Sequence, residues 1–161
     1  MKIPDAPESL RFEHEELHEQ LTKAGRAGGL TGEAARRVLE ILGPHVRFEE
    51  EFAVPPLVLL PALASGGFTP EMEGILAKSD RLKKELPAML ADHRWIAAAL
   101  TRLMQAATEE KQYGFAEFAR KVIVHAQMEE EVLYPAAIVV GDYVRLLLSV
   151  RAPSDATQKG P

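Results

Sequence analysis

The chain has 161 residues, a length that suits one domain with a sizeable buried core. It carries 19 Lys and Arg against 24 Asp and Glu, a formal charge of −5 with no basic run, so it offers no electrostatic footprint for nucleic acid or an anionic membrane. Cysteine is absent, which excludes disulfides, thiolate metal sites, iron–sulfur clusters and thiol nucleophiles, and leaves the five histidines as the most informative residues.

The start, MKIPDAPESL, lacks the apolar stretch of a signal peptide, and the longest apolar run, Phe52 to Ala64, is short and holds three prolines. A cytoplasmic protein with no membrane contact is expected. A first helix is predicted from about Pro7 to Ala24, where Leu10, His14, Leu17, His18 and Leu21 recur at spacings of three and four with glutamates between them. Gly25, Gly28 and Gly29 end it, and Thr31 is the expected N-cap of a second helix. That helix carries Val38, Leu39, Leu42, His45, Val46 and Glu49 on one stripe running toward Phe52, and Pro55, Pro56 and Pro61 break the helical pattern beyond it.

Residues 57–68 read as a short helix or packed loop ending at Gly66 and Gly67. Thr69-Pro70 opens a third helix, because proline's missing N–H costs nothing at the first helical position. It is predicted to run to about Ala107 with a kink or restart at Pro87. After residues 108–114 a fourth helix carries Phe115, Phe118, Val122, His125, Met128 and Glu129; Pro135 is expected to interrupt it, and a last helical piece spans Ala136 to Val150. No segment reads as a strand. The expected fold is all-α: over residues 1–150, four main helices in an up-down-up-down bundle with short extra helical segments, then a flexible tail over residues 151–161.

The chain also repeats itself. His14 and His45 lie 31 residues apart and His93 and His125 lie 32 apart, so the two pairs are offset by 79 and 80 residues. The stretch HVRFEEEFAVP at residues 45–55 parallels HAQMEEEVLYP at residues 125–135, with Glu49 and Glu129 four residues after their histidines. Each half is therefore a helical hairpin of one design, and packing the two about a pseudo-twofold axis gathers His14, His45, His93 and His125 at the bundle centre. Residues four apart stack on one helix face, so each His-x-x-x-Glu unit presents an imidazole and a carboxylate to one centre. Two carboxylates from opposite helices can each bridge a pair of ions, with histidines at the terminal positions. His18 adds a fifth imidazole one turn after His14.

A single histidine on an apolar face is ordinarily a packed, hydrogen-bonded core residue, and the triplets Glu49-Glu50-Glu51 and Glu129-Glu130-Glu131 alone would be solvated helix faces. Their correlation argues for metal. Burying two carboxylates with the histidines at matching repeat positions would cost several kcal/mol without metal or pairing.

On these residues the sequence resembles the hemerythrin-like family of HHE cation-binding domains, over about Leu10 to Tyr143. The resemblance rests on His14, on His45-x-x-x-Glu49, on His93, and on His125-x-x-x-Glu129 followed by EEVLYP. It implies a four-helix bundle holding two iron ions joined by an oxo or hydroxo bridge, with the four histidines as terminal ligands and Glu49 and Glu129 as bridging carboxylates. It implies further that an open iron position takes O₂, peroxide, nitric oxide or small anions. The family's fifth histidine forms an i, i+4 pair on the third helix, where this chain has Ala97; the pair appears instead on the first helix, as His14 and His18. Whether His18 is a ligand or stands behind the ligands, and which iron is open, stay undecided here. Glu130 lies at the spacing of the fourth-helix carboxylate in oxygen-carrying members, but Glu129 matches Glu49.

The first functional reading is a binding module for oxygen carriage, storage or sensing, acting alone, as a homodimer or through a partner protein. A di-iron enzyme that decomposes peroxide or reduces nitric oxide, and an iron-storage protein, are the alternatives; manganese, zinc or mixed metals suit the same residue types. The pentapeptide HEELH at residues 14–18 also fits the zinc-peptidase pattern, with Glu15 as general base, but no third ligand or substrate-holding sheet accompanies it. A ferritin-like site would need two Glu-x-x-His motifs, and only Glu15 to His18 supplies one. Phe48 and Trp95 lie close enough to the candidate ligands to line a pocket. Tyr134 either donates to a bridging group or packs at the bundle end beside Pro135.

Overall fold

The computed structural model describes residues 6–151; of the expected tail over residues 151–161, Arg151 instead ends the last helix and the rest lies outside the described residues. All regular elements among them are helical. The first hairpin is α1 (Glu8–Arg26) and α2 (Gly29–Phe48); the second is α4 (Leu76–Glu109) and α5 (Tyr113–Met128). Between them lie a 3₁₀ turn at Pro55–Leu59, the short α3 (Leu60–Ala64) and a second 3₁₀ turn at Pro70–Ile75, and α6 (Tyr134–Arg151) comes after α5. The helix α2 packs on both α1 and α4, and α5 packs on α4 and α1, which closes the predicted four-helix bundle.

Three local expectations are corrected. Thr31 is not the N-cap of α2, which begins two residues earlier at Gly29; the helix start is capped from across the bundle, where Glu110 accepts hydrogen bonds from Leu30 N–H (2.8 Å) and Thr31 N–H (3.0 Å). A carboxylate there also meets the positive end of the helix dipole. Gly29 makes the approach possible: its φ is 59°, and a Cβ would collide with the Glu110 carboxylate. Pro87 neither breaks nor restarts α4, which runs unbroken for 34 residues with Pro87 on its exposed side.

Pro135 likewise does not end the fourth helix, because a wide π turn precedes it. The same device occurs in both halves: π turns at Glu49–Ala53 and Glu129–Leu133 each end two residues before a proline, Pro55 and Pro135. Val54 N–H and Tyr134 N–H reach back five residues, to the carbonyls of Glu49 and Glu129. A proline in an ordinary α-helix clashes with a carbonyl one turn back; the extra residue of a π turn re-aims those carbonyls. Both π turns begin at a candidate ligand.

The core is layered. One cluster joins Leu21, Val38, Leu42, Ile96, Leu100, Leu103 and Val122; another, nearer the prolines, joins Leu57, Leu82, Met89, Tyr134 and Ala137. The histidine layer lies between these two apolar ones. The stretch Tyr113–Arg151 holds the one described segment long and apolar enough to cross a membrane, and it also carries His125 and Glu129, half-buried and buried within the bundle.

Candidate metal centre

Helical periodicity aims one residue from each of four helices at the bundle axis: His14 from α1, His45 from α2, His93 from α4 and His125 from α5. Glu49 and Glu129, opening the two π turns, join them. His14, His45, His93, Glu49 and Glu129 are buried, and His125 is half-buried. His45, Glu49, His93 and Glu129 form one group able to hold an ion, and His14, His125 and Glu129 form a second; within each group the ligand atoms lie within 4.8 Å of one another.

Glu129 belongs to both groups, and Glu49, a member of the first, also faces a histidine of the second. Glu49 turns Oε1 to His45 Nε2 (3.4 Å) and Oε2 to His14 Nε2 (3.7 Å). Glu129 turns Oε2 to His93 Nε2 (3.3 Å) and Oε1 to His125 Nε2 (2.8 Å) and His14 Nε2 (3.7 Å). A cavity of about 10 Å³ lies among these residues, bounded also by Leu17, Leu42, Val46, Ile96, Val122 and Ala126. Every residue lining it has its repeat mate in the lining: Leu17 with Ile96, Leu42 with Val122 and Val46 with Ala126, as His14 with His93, His45 with His125 and Glu49 with Glu129. The repeat seen in the sequence is thus a repeat of the site.

The outer ring nitrogens face a second set of acids that the sequence pattern did not single out as such. His93 Nδ1 lies 2.9 Å from Glu130, His14 Nδ1 3.4 Å from Glu50, His45 Nδ1 3.6 Å from Asp92 and His125 Nδ1 3.8 Å from Glu13. These too obey the repeat, Glu50 with Glu130 and Glu13 with Asp92. A carboxylate behind an imidazole fixes its orientation and tautomer and strengthens its inner nitrogen as a donor, the usual surroundings of a metal-bound histidine.

Electrostatics reflect the crowding. Burial disfavours protonation of His14, His93 and His125, but hydrogen bonding and the charge of Glu129 prevail, so all three are held above the usual histidine range. Burial pushes Glu129 toward neutrality, yet its histidine neighbours hold it well below the usual carboxylate range. Metal can replace those protons. His45 Nδ1 is buried without a hydrogen-bond partner, so the protein's own contacts do not fully satisfy the cluster. Four inward imidazole nitrogens and two carboxylates set between them make a donor set that could hold metal ions.

Tyr134 belongs to this centre rather than to the bundle end. Its hydroxyl donates to Glu49 Oε1 and lies 3.2 Å from His45 Nε2 and 3.1 Å from His93 Nε2, with its ring stacked on His93. Burial, reinforced by the charges of Glu49 and Glu129, pushes its phenol far above the ordinary tyrosine range. The mate of Tyr134 in the first half is Val54, and that break in the repeat was the available signal. His18 is not brought into the cluster: it is exposed and belongs to neither group. Glu15 is exposed as well, so the HEELH residues do not converge on an ion. Trp95 is 69% exposed and lines a separate groove, and Phe48 packs on Phe52.

Fold and site together define an all-α four-helix bundle whose buried His/Glu cluster could hold metal ions. Comparison with protein-family models, with curated proteins and with solved structures found no match for this chain.

Proposed function

We propose that this chain is a hemerythrin-like di-iron protein that binds O₂, or a related small ligand such as peroxide or nitric oxide, for oxygen binding, storage or sensing. The observation that carries the proposal is the placement of both Glu49 and Glu129 between two histidine groups, each carboxylate facing both. Bound there, two irons would supply a redox-active pair with a coordination position for a small ligand.

The protein's part is to hold and seal. His45 and His93 would hold one ion, His14 and His125 the other, with Glu49 and Glu129 across both. Leu17, Leu42 and Val46 with Ile96, Val122 and Ala126 exclude bulk water, and Tyr134 keeps a proton at Glu49 Oε1. The half-exposed outer acids give protons displaced from the histidines a path toward the surface. A second reading is a di-iron enzyme decomposing peroxide or reducing nitric oxide; nitric oxide reduction takes up protons, and the half-exposed acids behind the histidines could relay them inward.

The test is to purify the protein aerobically, measure metal per chain and record visible spectra with and without azide, then after reduction and re-oxygenation. Two irons and a band restored by oxygen support the binding module; a centre that bleaches while turning over peroxide supports the enzyme. One zinc, no colour and peptide cleavage abolished by Glu15→Gln would overturn both.

A further inference from the structure

The two halves share one design, so their differences carry information, and two of them bear on access. At the His45/His93 end Tyr134 fills space that the repeat gives to Val54 in the other half. On the flank of the His14 end, Gly43 stands where the second half has Ile123. We propose that the small ligand enters through the cleft between α1 and α2, arrives at the His14/His125 end, and depends on Gly43 to keep that route open. This rests on the reading of the centre given above and adds which end is reached and by what path.

The cleft encloses about 520 Å³ and is lined by residues of α1 and α2 and by Glu50 of the first π turn, with the exposed Glu15, His18 and Arg47 among them. Its inner wall is His14, Leu17, Leu42 and Val46, and the same four residues bound the central cavity. Solvent and centre are therefore separated there by a single layer of side chains, three aliphatic and one a candidate ligand. The central cavity, about 10 Å³, matches roughly one water-sized probe, and side-chain motion at Leu17 and Val46, which face both spaces, is what the route requires.

The rival route is weaker. A cleft of about 410 Å³ between α2 and α4 shares only His45 with the central cavity, whereas the α1/α2 cleft shares four residues with it. It approaches the side of His45 that faces Asp92, behind the inward Nε2.

Gly43 has a competing explanation, since it precedes Pro44 inside α2 and the residue before a proline resists helical geometry. Yet Leu86 precedes Pro87 inside α4 with the helix unbroken, so this fold does not require glycine there. A Cβ at Gly43 would meet nothing nearer than Arg47 Nη1 at 3.8 Å, which leaves room for a larger side chain to grow into the cleft. The aliphatic wall also sets specificity: uncharged O₂, nitric oxide and hydrogen peroxide pass it more readily than azide or other anions, which must shed water first.

The experiment pairs variants of opposite sign. Stopped-flow mixing of nitric oxide with the reduced, iron-loaded protein should show Gly43→Leu entering roughly tenfold more slowly and Leu17→Ala several-fold faster, with iron content unchanged in both. Equal rates across the three proteins overturn the route. Xenon-pressurised crystals test it without reference to iron: xenon should lie in the α1/α2 cleft against Leu17 and Val46, and Gly43→Leu should remove it. Xenon confined to the α2/α4 cleft overturns the route even if two irons are bound. Xenon at the expected place in a chain that takes up no iron supports the route and overturns the di-iron reading alone.

Discussion

At the scale of single residues, protons and any bound metal would compete for the same ring nitrogens and carboxylate oxygens. In the metal-free chain His14, His93 and His125 are held above 6.5 by their carboxylate neighbours despite burial, so the stability they add is complete below 6.5 and fades as pH rises through their folded values. Glu129 is held well below 4.5 despite burial, so its contribution is present above 4.5 and is lost as pH falls through its lowered folded value. The metal-free protein should accordingly be most stable at mildly acidic pH and weaken toward alkaline pH. Metal affinity should run the other way, because each ligand must shed its proton first. Urea midpoints measured across pH for both forms check this; a metal-free midpoint that climbs steadily from acid to alkali contradicts it. Tyr134→Phe is the second residue-scale test. Removing the hydroxyl leaves the buried Glu49 Oε1 without its donor, a loss of about 1–3 kcal/mol in the metal-free protein. Metal loading should recover part of that loss, since an ion replaces the missing donor, and paired thermal melts measure the difference.

Among the elements, the turns and caps are more vulnerable than the helices. Gly29→Ala places a side chain at φ 59° against the Glu110 carboxylate that caps α2, and should cost about 1–2 kcal/mol, with amide exchange rising first at Leu30 and Thr31. Pro87→Ala should do the opposite: an exposed proline inside α4 costs about 3 kcal/mol against alanine, offset by about 1 kcal/mol from a stiffer unfolded chain, so the variant should melt higher. The helices were legible because every apolar stripe keeps a spacing of three and four. The cap at Glu110 was not, since it lies 80 residues from Leu30 and no local pattern links the two. The continuation through Pro135 was hidden because a π turn leaves no mark in 3.6-residue periodicity. The six clustered residues of the site were legible through the repeat, which pairs each with a mate. His18 satisfied the i, i+4 rule, but one turn along α1 carried it past the two groups to the surface. The outer acids Glu13, Glu50, Asp92 and Glu130 were camouflaged by the glutamate-rich segments around them, although the same offsets of 79 and 80 residues relate them.

For the whole molecule, the decisive fact is that each group able to hold an ion draws on both hairpins: α1 with α5, and α2 with α4. Neither hairpin can complete a group alone, so an ion in either ties the halves together and stabilises the native state alone. An ion at one hundred times its dissociation constant contributes about 2.7 kcal/mol, so two contribute about 5 kcal/mol. In a domain of this size each kcal/mol moves the melting temperature by about 2–4 °C, which sets the expected gap between metal-loaded and chelator-treated protein at roughly 10–20 °C. The variants should divide that gap unequally. His45→Ala removes a ligand of one group and should erase about half of it, whereas Glu129→Gln withdraws a carboxylate that faces both groups and should erase most of it. Calorimetry of the three proteins, each with and without metal, decides the point. If Glu129→Gln loses no more than His45→Ala, the two groups bind independently and the carboxylate does not bridge them.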